Sequence, residues 1–296
     1  FHPSTFDLAV SLDFPDGKHS AAITTGLRSF TAKGREFLIN GRPVFLRGNH
    51  DGGGFPLTGH PPMDPASWRR ILGIYKAWGI NHVRFHSWCP PEAAFQVADE
   101  LGLYLQPEPG MWNPFSKGSD ITRELYAESE RMIAAYGNHP SFVMMSPSNE
   151  PAGRWKEVLP EWVAHFRKLD PRRLYTTGTG WSLIDDPQPV ADKVDYLNVH
   201  RIGTRMMRGE KGWFGKDYSA SAVGVDVPIV THEAGQWCAY PDFDVIGKFT
   251  GFLRPGNYEI FRDSAKANAV LDRDKDFVRA SGKLQLACYK QEVEAV

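Results

Sequence analysis

The chain of 296 residues has only three cysteines, Cys89, Cys238 and Cys288. An odd number cannot pair completely, and none stands in a CxxC or Cys/His spacing, so a disulfide framework and a zinc-finger site are both argued against. No run of eighteen apolar residues occurs, so the sequence supplies no helix able to cross a membrane. Charge of one sign is also missing. Lys and Arg number 34, Asp and Glu 35, and the formal net charge is −1. That balance argues against a nucleic-acid partner, which favours a basic face. Composition leaves the compartment open.

What is present is ordinary globular chemistry, with 42% apolar and 23% charged residues. The length accommodates one (β/α)8 barrel of about 250 residues plus a short extra piece. Nine Trp and ten Tyr are many, and suit sugar-ring platforms and large cores alike. Residues 1–30 read as two strands with a turn at Asp16-Gly17, because Leu8, Val10 and Leu12 alternate with polar or small neighbours. Two strands cannot make a domain. This segment is expected to be the C-terminal part of a β-sandwich (Ig-like) domain, and residues 31–296 a TIM barrel. Strands are expected at 43–48, 81–86, 103–108, 142–147, 174–178, 195–200 and 227–232, with helices between. Asp64-Pro65 starts a helix that Gly79 stops, Gly102 ends a second, and Asp120 caps a third running to Gly137. A fourth covers 153–169, and further helical patterns lie near 256–272 and 277–295. Seven strands are counted, so the barrel is expected to lack its last βα unit and the chain to be cut at both ends.

Chemistry on a parallel barrel gathers at the C-terminal ends of the strands. There this sequence concentrates Arg47, Asn49, His50 and Asp51; Arg84, His86 and Trp88; Glu108 and Trp112; Asn149 and Glu150; Asn198 and His200; and His232, Glu233 and Trp237. Packing alone would not put so many charges there, since buried charges are costly unless paired. Retaining glycoside hydrolysis needs two carboxyl groups about 5–5.5 Å apart, one nucleophile and one acid/base. Glu150 and Glu233, at the ends of the fourth and seventh expected strands, are the pair, with Glu108 a third candidate that could instead pair with Arg84. A regular strand would turn His232 away from Glu233.

Six stretches carry a resemblance. The run from His139-Pro140-Ser141 to Ser148-Asn149-Glu150 resembles the acid/base motif of glycoside hydrolase family 2, of the β-galactosidase, β-glucuronidase and β-mannosidase type. Pro228-Ile229-Val230-Thr231-His232-Glu233-Ala234-Gly235 is similar to its nucleophile strand, and Phe37 to Gly48 to its barrel entry. The Gly79–Arg84 and Ala98–Leu103 runs resemble its second and third units, and Gly26 to Phe30 the end of a preceding sandwich domain. The resemblance implies Glu150 as acid/base, Glu233 as nucleophile and Asn149 on the sugar 2-hydroxyl. It also implies Arg84 holding the nucleophile ionised. His50, His86, Trp88, Glu108, His200 and Trp237 complete the expected substrate contacts. The chain departs from the pattern at Ala234, Met145 and Ser87, and lacks a tyrosine near the end of the sixth strand, which implies an altered sugar subsite.

The expected function is therefore a retaining, exo-acting β-glycosidase that works through a covalent glycosyl-enzyme. Its partners are a glycoside or oligosaccharide and the remaining domains of a parent chain. No cofactor, metal, nucleic acid or membrane is expected, and family analogy favours the periplasm or secretion, with the cytoplasm open. Two other readings stand beside it. One is a metal-dependent hydrolase or isomerase using His50, His86, Glu108, His200 and Glu233. The other is an inactive carbohydrate-binding fragment.

Overall fold

The computed structural model describes residues 3–180, 193–199, 201–202, 205–206, 217 and 223–295. They divide into two compact units. The first comprises Phe1–Gly52, Pro62–Val199 and Val225–Val230, and the second Gly53–Pro61, His200–Gly224 and Thr231–Val296.

The first unit opens with a hairpin of β1 (Phe6–Phe14) and β2 (Gly17–Thr25). Its alternating side chains Phe6, Leu8, Val10, Leu12 and Phe14 share one face with Ile23, and all are exposed. Its root is tied down. Thr25 Oγ1 donates to the Asn138 carbonyl, and Arg28 reaches the carbonyls of Pro140, Phe142 and Arg172. Burial and the neighbouring Arg173 and Arg172 press the Arg28 guanidinium down to about 10.

A three-stranded antiparallel sheet follows: β3 (Phe30–Lys33), β4 (Glu36–Ile39) and β5 (Arg42–Val44). Asn40 and Gly41, at φ 51° and 75°, make the two-residue turn that folds β5 back on β4. This turn corrects the expected strand at 43–48. Pro43 and Val44 belong to the antiparallel sheet, and the first parallel strand is β6 (Gly48–Asp51). Phe30, Phe37 and Ile39 of this sheet pack with Tyr104, Val143, Met144, Leu174 and Tyr196, near the starts of the parallel strands, and so close the core from that end.

The parallel set continues in chain order. After β6 come β7 (His82–Phe85), β8 (Tyr104–Pro107), β9 (Met144–Met145), β10 (Leu174–Tyr175), β11 (Leu197–Val199) and β12 (Ile229–Thr231). β6, β7 and β8 pair directly, a Leu105–Phe142 bridge leads on, and β9 pairs with β10. Parallel bridges join Asn149 to Thr179 and Thr179 to Asn198, and β11 pairs with β12. Six of the seven expected strands are thus found, each shorter than its apolar run, and the first lies at Gly48–Asp51 instead of 43–48. Four helices intervene: α1 (Pro65–Ala77), α2 (Glu92–Leu101), α3 (Asp120–Tyr136) and α4 (Trp155–Leu169). Gly102 ends α2 in the left-handed conformation, as its lack of a side chain allows. The cap of α3 is Ser119, not Asp120; its hydroxyl accepts from the Thr122 N–H. Trp68 and Trp162 are buried under α1 and α4, whereas Trp78 is largely exposed.

Successive residues of a strand face opposite ways. Phe85 meets Trp68 of α1, and Tyr175 meets Trp162 of α4, so these residues face the helices. The opposite face reads His82, Arg84, Tyr104, Gln106, Glu108, Tyr196 and Asn198, all buried. The interior of the strand set is therefore polar, which calls for compensating partners. Gly48 lies close against it, where a Cβ would stand 2.9 Å from His82 Nδ1.

In the second unit, Thr250 Oγ1 donates to the Leu57 carbonyl, and two helices follow, α5 (Gly256–Ala267) and α6 (Asp274–Ala295). Leu284, Leu286 and Val293 of α6 are exposed.

Burial pushes His82 down to about 4, so the folded chain holds it neutral where an unfolded chain, at 6.5, would protonate it. The unfolded state then binds the extra proton, and stability falls as pH drops from about 6.5 to about 4, by roughly 3 kcal/mol at most. Above 6.5 the contribution is fully present. His139 works in the opposite sense: burial opposes its charge, but Asp99 at 2.6 Å and Glu92 at 3.0 Å outweigh that and raise it. Urea midpoints of wild type and His82→Asn should converge as pH is lowered from 7 to 4; parallel decline would contradict the burial argument.

Candidate active site

The site is built on one buried ion pair. Arg84 of β7 donates from Nε to Glu108 Oε1 at 2.7 Å and from Nη2 to Oε2 at 3.1 Å. Both side chains are almost wholly inaccessible. Glu108 also accepts from the Ser87 N–H at 2.9 Å and from the Thr179 hydroxyl at 3.2 Å. Its four acceptor sites are thus filled by protein. Of the two roles open to Glu108 from sequence, the structure has it paired with Arg84. A ligand contact, to a sugar or to a metal ion, would need this network to be dismantled.

Nη2 of Arg84 also organises the end of the fourth parallel strand. Nη2 donates to Asn149 Oδ1 at 2.8 Å and to Thr179 Oγ1 at 2.5 Å. Because Asn149 Oδ1 is held as an acceptor, the amide orientation is fixed and its NH2 points the other way. The neighbouring loop is tied to the same place by Met111, whose carbonyl accepts from the Asn149 N–H, Ser148 Oγ and Ser87 Oγ. The resemblance implies that Arg84 holds the nucleophile ionised; its hydrogen-bond partners include Glu108, Asn149 and Thr179. Thr179 was not singled out from sequence. The signal was available in its place between two glycines at the end of a strand.

Glu150 follows at φ 37° and is only partly buried. Its N–H donates to the Thr179 carbonyl at 2.6 Å. Few residues other than glycine adopt positive φ, and the cost is about 1–2 kcal/mol. Ser87, at φ 54°, lies at the end of the second strand. Glu233, in the second unit, has φ 48°. Its strand ends at Thr231, so the regular alternation that would send His232 away from it is broken, and His232 Nε2 lies 3.2 Å from Glu233 Oε1. Gln236 Nε2 donates to the other oxygen of Glu233.

The remaining candidates separate. His50 and His86 bring their rings to 4.9 Å of each other, and Trp112, well exposed, meets His86 edge-on at 5.4 Å. Trp88 is packed against Phe85 and Trp68, and its Nε1 donates to the Asp51 carbonyl at 3.0 Å. Trp237 donates at 2.7 Å to Glu292, a buried carboxylate of α6 that also accepts from the Gly235 N–H at 2.9 Å. His200 lies outside the described residues. Cys89, Cys238 and Cys288 are free thiols, and burial pushes Cys89 up, away from the reactive thiolate.

Comparison with known proteins adds to this geometry. Residues 30–204 match the family described as glycosyl hydrolases family 2, TIM barrel domain. The β-galactosidase 2 of Enterobacter cloacae is 28% identical over 204 residues, which are 66% of this chain and 20% of that protein. The chain therefore spans about a fifth of the length of this curated relative. A family 2 member from Bacteroides cellulosilyticus DSM 14838 has a similar fold, with a TM-score of 0.61 at 19% identity, covering 82% of this chain and 32% of that one. The Parabacteroides merdae β-glucuronidase gives a TM-score of 0.58 at 21% identity, covering 70% and 27%.

Removing one partner of a buried pair strands the other charge, at a cost of about 3–5 kcal/mol. Glu108→Ala should lower the urea-unfolding free energy by that amount. The double variant Arg84→Met with Glu108→Leu should lose clearly less than the two single losses combined; additive losses would mean that the pair is not coupled.

Proposed function

Since the chain belongs to glycosyl hydrolase family 2 through its TIM barrel domain, we propose that it is the catalytic part of a retaining, exo-acting β-glycosidase. Glu150 is the acid/base and Glu233 the nucleophile. The observation that carries this reading is the backbone. Both carboxylates that the motifs single out sit at positive φ, Glu150 directly after the bridge residue Asn149 and Glu233 two residues past the end of its strand at Thr231. Strain of this kind persists where surrounding structure over-determines it, and it gathers at functional sites.

The chemistry then runs in two displacements. A Glu233 oxygen attacks the anomeric carbon as the glycosidic C–O bond breaks, and Glu150 gives its proton to the departing oxygen. A covalent glycosyl-enzyme results. Glu150, now a carboxylate, takes a proton from water; the water oxygen attacks the anomeric carbon and Glu233 is released. The Asn149 NH2, turned outward by the Arg84 contact on its Oδ1, donates to the sugar 2-hydroxyl. Arg84 and Glu108 serve as the frame of the site rather than as substrate contacts. His50, His86 and the exposed Trp112 line the approach to the sugar. The substrates are β-linked terminal sugars, with galactosides and glucuronides the first to try.

The test is turnover of 4-nitrophenyl β-D-galactoside and β-D-glucuronide by the protein that carries this sequence. Glu233→Ala should abolish turnover, and Glu150→Gln should slow it by roughly a hundredfold or more. Added azide should restore part of the Glu233→Ala activity with inverted product. Unchanged turnover in Glu233→Ala would sink the proposal.

A further inference from the structure

The chain segment Gly178-Thr179-Gly180 meets Asn149-Glu150-Pro151 along its whole length. Thr179 bridges the end of the fourth strand to the sixth: its N–H donates to the Ser148 carbonyl at 3.0 Å, and its carbonyl accepts from Glu150. Its hydroxyl accepts from Arg84 and lies 3.3 Å from Asn149 Oδ1. Both flanking positions exclude a side chain. A Cβ on Gly180, at φ 115°, would stand 2.8 Å from Glu150 Cγ, and one on Gly178, at φ 146°, would stand 2.8 Å from Pro151 Cγ. The Gly180 N–H is fixed by the Asn198 carbonyl at 2.9 Å. The Glu150 side chain therefore runs over the bare backbone of Gly180.

We propose that Gly178-Thr179-Gly180 is a positioning element for the acid/base: Thr179 orients the Asn149 amide, and Gly180 sets the path of the Glu150 side chain. The proposal rests on the reading of Glu150 given above. None of the three residues touches the reacting atoms. Gly180 acts on where the Glu150 proton is delivered when the glycosidic C–O bond breaks, and Thr179 on how the Asn149 amide meets the sugar 2-hydroxyl.

Protonation matters when the leaving group is poor and hardly at all when it is good. In Gly180→Ala, hydrolysis of methyl β-D-galactoside or glucuronide should fall roughly a hundredfold, while that of the 2,4-dinitrophenyl glycoside stays within about threefold. Equal loss on both would show general disruption and overturn the proposal. Thr179→Val, which removes the hydroxyl and keeps the shape, carries the test if Gly180→Ala does not fold. It should cost roughly tenfold on the 4-nitrophenyl glycoside, and Thr179→Ser should recover to within about threefold. On the 2-deoxy glycoside Thr179→Val should cost nothing, and an equal cost there overturns the proposal. Failure of the underlying reading looks different. Glu150→Gln would then leave methyl glycoside turnover intact, whereas failure of the present proposal leaves Glu150→Gln inactive and both Thr179→Val and Gly180→Ala like wild type.

Discussion

A guanidinium shut inside a protein must find oxygen for its N–H groups or the fold will not tolerate it. Arg84 sets that demand at the centre of the first unit, and the neighbouring polar positions answer it. Glu108 accepts from Nε and Nη2, and Asn149 and Thr179 gather round the same Nη2. These partners come from the ends of the third, fourth and fifth parallel strands. The ends are thereby held to one another by side chains as well as by the backbone ladder. The same constraint explains why the inner face of the strands reads His, Arg, Gln, Glu and Asn where a packed barrel would read Val, Ile and Leu.

Below this polar layer the apolar work is done by the small antiparallel sheet. Phe30, Phe37 and Ile39 fill the end of the strand set that carries no chemistry, against Tyr104, Met144, Leu174 and Tyr196. The division is one of dielectric. A dry end supplies burial energy, and the other end holds charges in fixed hydrogen bonds. His82 lies just above this boundary, and its depressed proton affinity reports it.

Much of this was legible in the residues. Strand–helix alternation, the glycine stop at Gly102 and the polar groups at strand ends could be read from periodicity and turn chemistry. The first strand was misplaced because an apolar run from Pro43 to Gly48 conceals a turn at Asn40-Gly41 whose consequences extend past it. The geometry of His232 was missed because period-two reasoning holds only while the strand continues, and it ends one residue earlier. Glu108 shows a different limit. Sequence can place a carboxylate at a strand end, but only three-dimensional neighbours decide whether its oxygens are already spent. Thr179 carries no charge and no motif, so nothing in its identity announces that three side chains converge on its hydroxyl. The placement of residues 1–30 as part of a sandwich domain remains a reading of pattern, to which the hairpin adds an apolar face left uncovered.

The backbone at Glu150 and Glu233 has a consequence for stability. At φ 37° and 48° each carboxylate occupies a conformation that glycine or asparagine would hold more cheaply. Glycine at either position would relieve that backbone cost, so stability and the side chain's own work pull in opposite directions at Glu150 and Glu233.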